Sequence, residues 1–357
     1  MEHTLKKTSL YDACVKAGGK MVDFHGWLMP VQFEGIIAEH SAVRKNAGLF
    51  DVSHMGEVWF EGKDAHKFLQ TLAANNFKNI PGAGAYSHML NENGGVIDDL
   101  IAFCVTPEKF LVVINSATRE KDVAWFKKQA VDFDVKVIDA SDDFSMLALQ
   151  GPNALNILEK LDPEIKKLPR FNIKSAQIFG EDIYITRTGY TGEDGVEILG
   201  GAQFINKLFS WCLANGFKPC GLGARDVLRF EAGYLLSGSD MDESRTPYEA
   251  SFGWVVKMNK GVDFIGKAAL LKQKEEGVKQ KWQGFTLSGA IAREGALIFK
   301  DGKEIGRLTS ATYSPLFKAI CAGYAPADLA EGSEVEIEIR GRKVPAKSAK
   351  MPFYKIL

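Results

Sequence analysis

The chain has 357 residues and a formal net charge of -1, with 46% hydrophobic and 25% charged residues. This composition is ordinary for a globular protein, and the length predicts two or three domains. The near-neutral balance argues against nucleic-acid binding driven by bulk charge. No apolar run reaches the roughly 18 residues that a membrane span needs, and the N-terminal stretch lacks the apolar core of a secretory signal. We therefore expect a cytoplasmic protein with no membrane partner.

The cysteines and histidines exclude several kinds of site. Five cysteines are scattered without a CxxC pair, a pattern that predicts reduced thiols rather than disulfides or a metal site. All six histidines lie at or before His88. The last three quarters of the chain therefore cannot supply a catalytic histidine or a histidine metal site.

The first third of the chain alternates helical and extended patterns. Residues 31–48 carry apolar side chains at helical spacing and end near a glycine, which predicts a helix. The stretch FDVSHMGEVWFEG (residues 50–62) reads as one strand that leads into a turn. A second helix is predicted over residues 64–74.

The middle of the chain brings predicted strands in pairs between helices. The predicted strands are 96–105, 109–114, 146–150 and 183–189, and the predicted helices begin near Ser116, at Asn153 and at residue 200. Paired strands between helices are typical of an α+β fold with mixed or antiparallel sheets covered by helices.

The sequence pattern changes near residue 280 from helical to short extended stretches. Residues 267–283, rich in lysine and glutamate, predict a linker helix. Short strands follow, separated by turns such as Asp301-Gly302, and this pattern is typical of a small β-barrel or sandwich. We predict a large domain at 1–275 and a C-terminal β-barrel domain at 280–357.

Two carboxylates, Asp98 and Asp99, lie inside the apolar run of the strand at 96–105. Side chains alternate across a strand, so the two acids must face opposite ways, with Asp99 on the face of Ile97 and Ile101. One reading is a carboxylate held in an apolar pocket, where a charge needs a cationic partner. The other is a pair of solvated acids at an exposed strand start beside the NENGG turn.

The stretch TRTGYTGEDGVEILG (residues 186–200) is a glycine-rich but acidic loop. It lacks the lysine of a phosphate-binding loop and is better suited to a cationic or amidine-like group. Glu197, on the strand after the loop, could accept two hydrogen bonds from a planar amidine edge such as that of a pterin. The alternative is a tight hairpin with solvated acids.

Apolar spacing predicts a helix that starts near Gly223 and carries Arg225 in its first turn. The positive end of the helix dipole disfavours a cation there unless an anion is present. Arg225 and the helix amides therefore suggest an anion site. The alternative is a surface pair between Arg225 and Asp226.

These features belong to a longer ordered set of motifs. The set comprises MVDFHGWLMPVQF, VRKNAGLFDVSHMGE, NENGGVIDDL, LQGPNA, TRTGYTGEDGVE, GLGARDVLRFEAGY and GWVVKMNKGVDFIGK. Over nearly its whole length the chain resembles the T protein (aminomethyltransferase) family of the glycine cleavage system. It departs from the usual family residues at Gln32-Phe33, Ser237 and Ala311, none of which falls on Asp99, the TGEDG loop or Arg225.

The resemblance implies a reaction and a fold. The family moves the methylene of an aminomethyl group on lipoylated H protein to tetrahydrofolate, releasing ammonia and giving 5,10-methylenetetrahydrofolate in glycine catabolism. It implies tetrahydrofolate as co-substrate without metal or flavin, H protein as a transient partner, and the other glycine cleavage components as indirect ones. Its fold is a three-part cloverleaf around a folate cavity: two interleaved lobes within 1–275, then a small β-barrel.

The resemblance also assigns residues. Asp99 matches the family's essential acid, and by resemblance Glu197 and Arg225 hold the folate. Asp98 faces away from Asp99 on the strand, and we expect it to be structural. The remaining predicted site residues are Met55, Tyr86, Asn115, Tyr190, Tyr234 and Tyr354. We expect Trp254 to be a core residue.

Two related functions are alternatives to this one. A non-enzymatic folate-binding family that assists iron–sulfur assembly carries a cysteine in a KGCYxGQE motif, and the matching loop here has none. Flavin-linked demethylases need an added domain with a GxGxxG motif, for which the chain has no room. A stand-alone folate-dependent demethylase acting on a sulfonium stays open.

Overall fold

The computed structural model describes residues 5–355. Its helices are α1 (Tyr11–Lys16), α2 (Ile36–Lys45), α3 (Ala65–Leu72), α4 (Arg119–Gln129), α5 (Ala154–Leu158), α6 (Ala202–Ala214), α7 (Leu222–Glu231) and α8 (Lys267–Glu276). The strands of the first two thirds are β1 (Lys6–Lys7), β2 (Lys20–Phe24), β3 (Trp27–Gln32), β4 (Gly48–Asp51), β5 (Gly56–Glu61), β6 (Gly84–Leu90), β7 (Val96–Thr106), β8 (Lys109–Ile114), β9 (Lys136–Asp139), β10 (Ser145–Gln150), β11 (Ile173–Ile178), β12 (Glu181–Thr186), β13 (Gly195–Gly200) and β14 (Lys218–Pro219). The last third adds β15 (Gln280–Leu287), β16 (Leu297–Lys300), β17 (Lys303–Ser314), β18 (Lys318–Pro326), β19 (Glu334–Ile339) and β20 (Arg342–Ala349).

The described chain divides into two compact units. The first unit comprises residues 5–72, Asn76–Tyr86 and Leu100–Asp226. The second unit comprises Ala73–Asn75, Ser87–Asp99 and residues 227–355. This division differs from a single cut between 275 and 280, so the domain boundaries predicted from the sequence remain a prediction.

A six-stranded sheet in the order β11-β12-β13-β10-β4-β14 forms the centre of the first unit. Strand β10 is buried along its whole length and pairs antiparallel with β13 and β4. Apolar side chains of α6 pack against this sheet, with Phe204, Leu208 and Phe209 in the same buried cluster as Leu147 and Ile198. Both faces of β10 are covered, which explains its continuous apolar sequence.

A five-stranded sheet has the order β6-β7-β8-β5-β9, and a small sheet has the order β1-β3-β2. Strand β5 presents Phe60 to two helices, with ring centroids 5.0 Å from Phe68 of α3 and 5.1 Å from Phe126 of α4. Strands β7 and β8, predicted over 96–105 and 109–114, pair antiparallel as a hairpin. These aromatic contacts fix the helices on this sheet.

The second unit contains a closed barrel in the order β15-β18-β17-β16-β19-β20. Strand β18 shows why the sequence forms it. Ala319, Cys321 and Ala325 belong to one buried cluster. Ile320 and Tyr324 belong to a second cluster that also includes Phe230. Alternate residues of β18 are therefore buried on opposite faces, as the period of a strand requires.

The fold class predicted from the sequence, α+β with a small C-terminal β-barrel, is confirmed. Two element predictions are wrong. Residues 50–62 form not one strand but β4 and β5, which lie in different sheets; a turn separates them, in which the Met55 amide donates to the Val52 carbonyl. The helix predicted over 267–283 ends at Glu276, because Gly277 takes a positive φ of 78° and β15 begins at Gln280.

Candidate functional site

The glycine-rich loop 187–194 joins β12 to β13 and is held by Gln150 at the end of β10. The Gln150 amide donates to the Thr188 carbonyl at 3.0 Å, and its oxygen accepts from the Thr191 hydroxyl at 2.9 Å. A Cβ at Gly189 would meet the Gln150 side-chain oxygen at 1.9 Å. Glycine is needed here because the loop backbone approaches Gln150 closely.

Two acids of the loop are paired with arginines of the same unit. Arg44 meets Glu193 at 2.9 Å, and both side chains are only 5% exposed. Arg187 meets Asp194 at 2.8 Å. These two acids are therefore already paired, and Glu197 is the acid of the motif that a ligand could use.

Glu197 lies on β13, directly opposite Thr186 of β12. The Thr188 hydroxyl donates to Glu197 Oε2 at 2.6 Å, and the hydroxyls of Thr186 and Thr188 lie 2.7 Å apart. Both threonines are buried, whereas Glu197 is half-buried. The carboxylate is thus fixed through one oxygen.

Arg225 lies in the first turn of α7, and its guanidinium carbon is 4.7 Å from the centroid of the Tyr190 ring. Its Nη1 atom is buried and has no hydrogen-bond partner among residues 5–355. Burial lowers the pKa of Arg225, while Glu197 and Tyr190 act in the opposite direction. A buried donor without an acceptor is costly, so this cluster of Tyr190, Glu197 and Arg225 is suited to an acceptor atom of a ligand. Its burial favours the anion-site reading over a surface pair with Asp226.

His54 is a further buried residue of the first unit, and no sequence pattern singles it out. It lies between β4 and β5, is 5% exposed, and its Nδ1 has no hydrogen-bond partner within the described chain. Burial, and then the charges of Arg225 and His25, lower the pKa of His54 to about 3. Its imidazole is therefore neutral at physiological pH.

The other predicted residues of the first unit are Met55, Tyr86 and Asn115, and all three are half-buried. Met55 precedes β5, Tyr86 lies on β6, and Asn115 follows β8. They thus belong to strands of the five-stranded sheet or its connections, whereas Glu197 belongs to the six-stranded sheet.

In the second unit the two neighbouring acids differ in burial. Asp98 is 1% exposed, and its Oδ1 accepts from the Ser237 hydroxyl at 2.5 Å and from the Asp99 amide at 2.9 Å. Asp99 is half-buried. The reading of two solvated acids is therefore wrong for Asp98. Ser237, a departure from the usual family residue, contacts Asp98 directly.

Tyr234 and Tyr354 are tied to α7 through their backbones, and both are half-buried. The Tyr234 amide donates to the Arg229 carbonyl at 2.9 Å, and the Tyr354 amide donates to the Glu231 carbonyl at 2.7 Å. Trp254, expected in the core, is instead 53% exposed.

Three further observations concern the described chain as a whole. The five cysteines are free and buried. Residues 5–355 contain no cluster of three or more His, Cys, Asp or Glu side chains arranged to hold a metal ion. Among the described helices, none combines the length and the apolar character that a membrane crossing requires.

Two family models match the chain. The GCVT N-terminal domain matches residues 10–260, and the glycine cleavage T-protein C-terminal barrel domain matches residues 281–355. Among similar curated proteins, the aminomethyltransferase of Thermosipho melanesiensis is 47% identical and that of Alkaliphilus metalliredigens is 46% identical. Both alignments cover 98% of this chain and 98% of the relative.

The chain is also similar to a solved structure of this family. The glycine cleavage system aminomethyltransferase T of Bartonella henselae superimposes with a TM-score of 0.90 at 34% sequence identity, covering 98% of both chains.

Proposed function

This chain belongs to the glycine cleavage T protein family, and we propose on that premise that it transfers a methylene group from lipoylated H protein to tetrahydrofolate. It is an aminomethyltransferase; the identity of its donor and acceptor is the proposal. Ammonia and 5,10-methylenetetrahydrofolate are the products, and the dihydrolipoyl arm is returned to H protein. The other components of glycine cleavage are then indirect partners.

The observation that carries the proposal is the cluster of Tyr190, Glu197 and Arg225. The pterin of a folate is a flat ring whose edge presents two N–H donors next to a carbonyl oxygen. Glu197 supplies a carboxylate for the two donors. Arg225 supplies a buried Nη1 donor for the oxygen, and Tyr190 supplies an aromatic surface 4.7 Å from the guanidinium. One ligand thus meets the chemistry of all three side chains.

Proton balance defines what a catalytic acid must do. The donor is a thioaminal, S–CH2–NH3+, and tetrahydrofolate brings one N–H at N5 and one at N10. The methylene ends between the two nitrogens, so one of these protons must reach sulfur and the other must leave with ammonia. A carboxylate can accept and return such protons and stabilise the iminium character that develops as the carbon–nitrogen bond breaks.

We assign this role to Asp99. Its neighbour Asp98 already accepts hydrogen bonds from Ser237 and from the Asp99 amide, whereas Asp99 is half-buried. Asp98 therefore serves as a structural group and Asp99 as the reacting one. Met55, Tyr86, Asn115, Tyr234 and Tyr354 are proposed to line the substrate sites.

The experiment is a reconstitution. Aminomethylated H protein, tetrahydrofolate and this protein are mixed, and methylenetetrahydrofolate and ammonia are measured. We expect both products in equal amounts, and neither when H protein is omitted. Product from a methylated sulfonium, with none from aminomethylated H protein, would replace this proposal by the demethylase alternative.

A further inference from the structure

We propose that Thr188 is a positioning residue that fixes the carboxylate of Glu197 for recognition of the folate amidine edge. This inference rests on the function proposed above, since it concerns the same ligand. The sequence places Thr188 two residues after Thr186, at the point where β12 gives way to the glycine-rich loop. Thr188 is 8% exposed, and its hydroxyl lies 2.6 Å from Glu197 Oε2.

The direction of each hydrogen bond follows from the number of protons. A threonine hydroxyl has one proton, and Thr188 donates it to the carboxylate. At the 2.7 Å contact with Thr186, the Thr188 oxygen must therefore accept, and Thr186 donates. The Thr186 hydroxyl is also 3.3 Å from the Glu197 carbonyl, at the paired position of the two strands. The two hydroxyls form a chain that ends at Glu197 Oε2.

The glycine-rich loop holds these two threonine hydroxyls in place. Gln150 accepts from the Thr191 hydroxyl and donates to the Thr188 carbonyl. The Thr188 side chain is therefore fixed at its backbone by a buried glutamine and at its hydroxyl by Thr186. A rigid donor of this kind limits rotation of the Glu197 carboxylate about its terminal torsion, which is otherwise soft.

Fixing the carboxylate plane matters for a bidentate contact. Two N–H groups of an amidine edge meet a carboxylate well only when the two groups are nearly coplanar. Glu197 keeps its Oε1 and a second lone pair of Oε2 for these donors, since Thr188 uses one lone pair. Thr188 does not itself contact the reacting atoms, so it acts through Glu197 on ligand affinity and on the choice of ligand.

The test compares Thr188→Val with Thr188→Ser. Valine keeps the shape and removes the donor, whereas serine keeps the donor. We expect Thr188→Val to raise the Kd and KM for tetrahydrofolate about tenfold to one hundredfold, because a mobile Glu197 carboxylate loses up to one charge-assisted hydrogen bond to the amidine edge. The kcat at saturating tetrahydrofolate should change by less than about threefold. Thr188→Ser should restore affinity to within about threefold of the parent protein.

A second ligand separates positioning from general loop damage. The probe is a tetrahydrofolate analogue with a methyl group in place of the 2-amino group, which removes one donor of the amidine edge. The parent protein should prefer tetrahydrofolate, and Thr188→Val should lose most of this preference. If Thr188→Val lowers the affinity for both ligands by the same factor, the positioning role is overturned. If Thr188→Val does not fold, Thr188→Ala gives the same comparison with less bulk.

The two proposals fail differently. If the parent protein does not bind tetrahydrofolate, the proposed function and this inference both fail. If the parent protein binds it and Thr188→Val binds it with unchanged affinity, the function stands and only the inference fails.

Discussion

Arg225 carries the clearest residue-scale indication of a ligand. Its Nη1 is buried without a hydrogen-bond partner in the described chain, and burial lowers the pKa of the side chain. Such an arrangement lowers stability unless a bound acceptor completes it. The Tyr190 ring lies against the guanidinium, and the charges of Glu197 and Tyr190 favour its protonated form.

We predict that Arg225→Ala weakens tetrahydrofolate binding by about one hundredfold, the scale of a lost charge-assisted hydrogen bond, and lowers turnover at saturating folate much less. Calorimetry and steady-state kinetics measure the two effects. Asp226→Ala is the matched control, because Asp226 is the exposed neighbour in the sequence. Equal losses in the two variants would favour the surface-pair reading instead.

Two buried histidines should make the free energy of unfolding depend on pH in the acid range. Burial lowers the pKa values of His54 and His88 to about 3, from an ordinary 6.5. Between these values the unfolded chain binds protons that the folded chain does not. The free energy of unfolding should therefore be fully supported above about pH 6.5 and fall as the pH drops toward 3. Each histidine contributes a slope of about 1.4 kcal/mol per pH unit.

Urea unfolding at several pH values checks this. His88→Phe should lower the slope by the share of one histidine, and the stacked contact with Phe252 favours an aromatic replacement. The control is His25→Asn, because His25 is exposed and has a φ of 51° that asparagine tolerates. A slope that is the same in His88→Phe and the parent protein would contradict the account.

Sequence alone could assign opposite faces to Asp98 and Asp99, because alternation is local. It could not assign Thr188, whose role depends on which strand pairs with β12. It also could not predict that Arg44 neutralises Glu193, since the partners lie 149 residues apart in the chain. Side-chain function was predictable where it follows from local geometry and not where it depends on tertiary pairing.

At the scale of elements, Asp240 joins the loop after α7 to barrel strand β17. Its carboxylate accepts from Arg229 at 2.6 Å, from Thr309 at 2.5 Å and from Ser310 at 2.7 Å. The side chain of Asp240 is fully buried and that of Arg229 is 4% exposed. Each side chain supplies the opposite charge that the other needs, because neither reaches water.

Asp240→Asn should lower the free energy of unfolding by about 3 to 5 kcal/mol, since Arg229 would lose the buried carboxylate that accepts from its Nη1 atom. The control is Asp263→Asn, whose ion pair with Lys267 involves an aspartate that is 91% exposed. Asp263→Asn should change the free energy of unfolding by no more than about 0.5 kcal/mol. Chemical denaturation of both variants gives the comparison, and similar losses would show that the Asp240 network has no special role.

Helices and strands were predicted correctly where the periodic pattern extends over many residues, and wrongly where it extends over few. The hairpin of β7 and β8 and the helix α6 match their predicted stretches closely. The single strand predicted over 50–62 failed because an extended pattern does not say which sheet each half joins. The helix predicted over 267–283 failed because Gly277 is the only helix-breaking residue of that stretch, and the polar residues at the start of β15 resemble those of an exposed helix.

At the scale of the whole molecule, the barrel has apolar side chains on both faces. Its interior contains Phe285 and Leu287, while Trp282, Ile320 and Tyr324 belong to a cluster with residues outside the barrel. A fragment of residues 280–357 should give a β-type circular dichroism spectrum, because its interior core is complete. The same fragment should bind a hydrophobic dye through the uncovered outer face.

Ile320→Thr in this fragment should reduce dye binding while leaving the spectrum unchanged. A mainly helical spectrum would contradict the barrel as an independent β-structure. Absence of dye binding would contradict the role of the outer cluster.

The two neighbouring acids are proposed to have different roles, Asp99 a catalytic one and Asp98 a structural one. Asp99→Asn keeps shape but removes the charge, so it should lower turnover by about 100-fold or more and leave tetrahydrofolate affinity largely intact. Asp98→Asn should change turnover much less, although it disturbs the contacts to Ser237 and the Asp99 amide.

The decisive measurement is single-turnover formation of methylenetetrahydrofolate from aminomethylated H protein, with tetrahydrofolate affinity recorded for each variant. We expect slow turnover in the Asp99→Asn variant and nearly normal turnover in the Asp98→Asn variant, both with parental affinity for tetrahydrofolate. An inactive Asp98→Asn beside an active Asp99→Asn would contradict the assignment, as would loss of activity in both variants together with loss of folate binding.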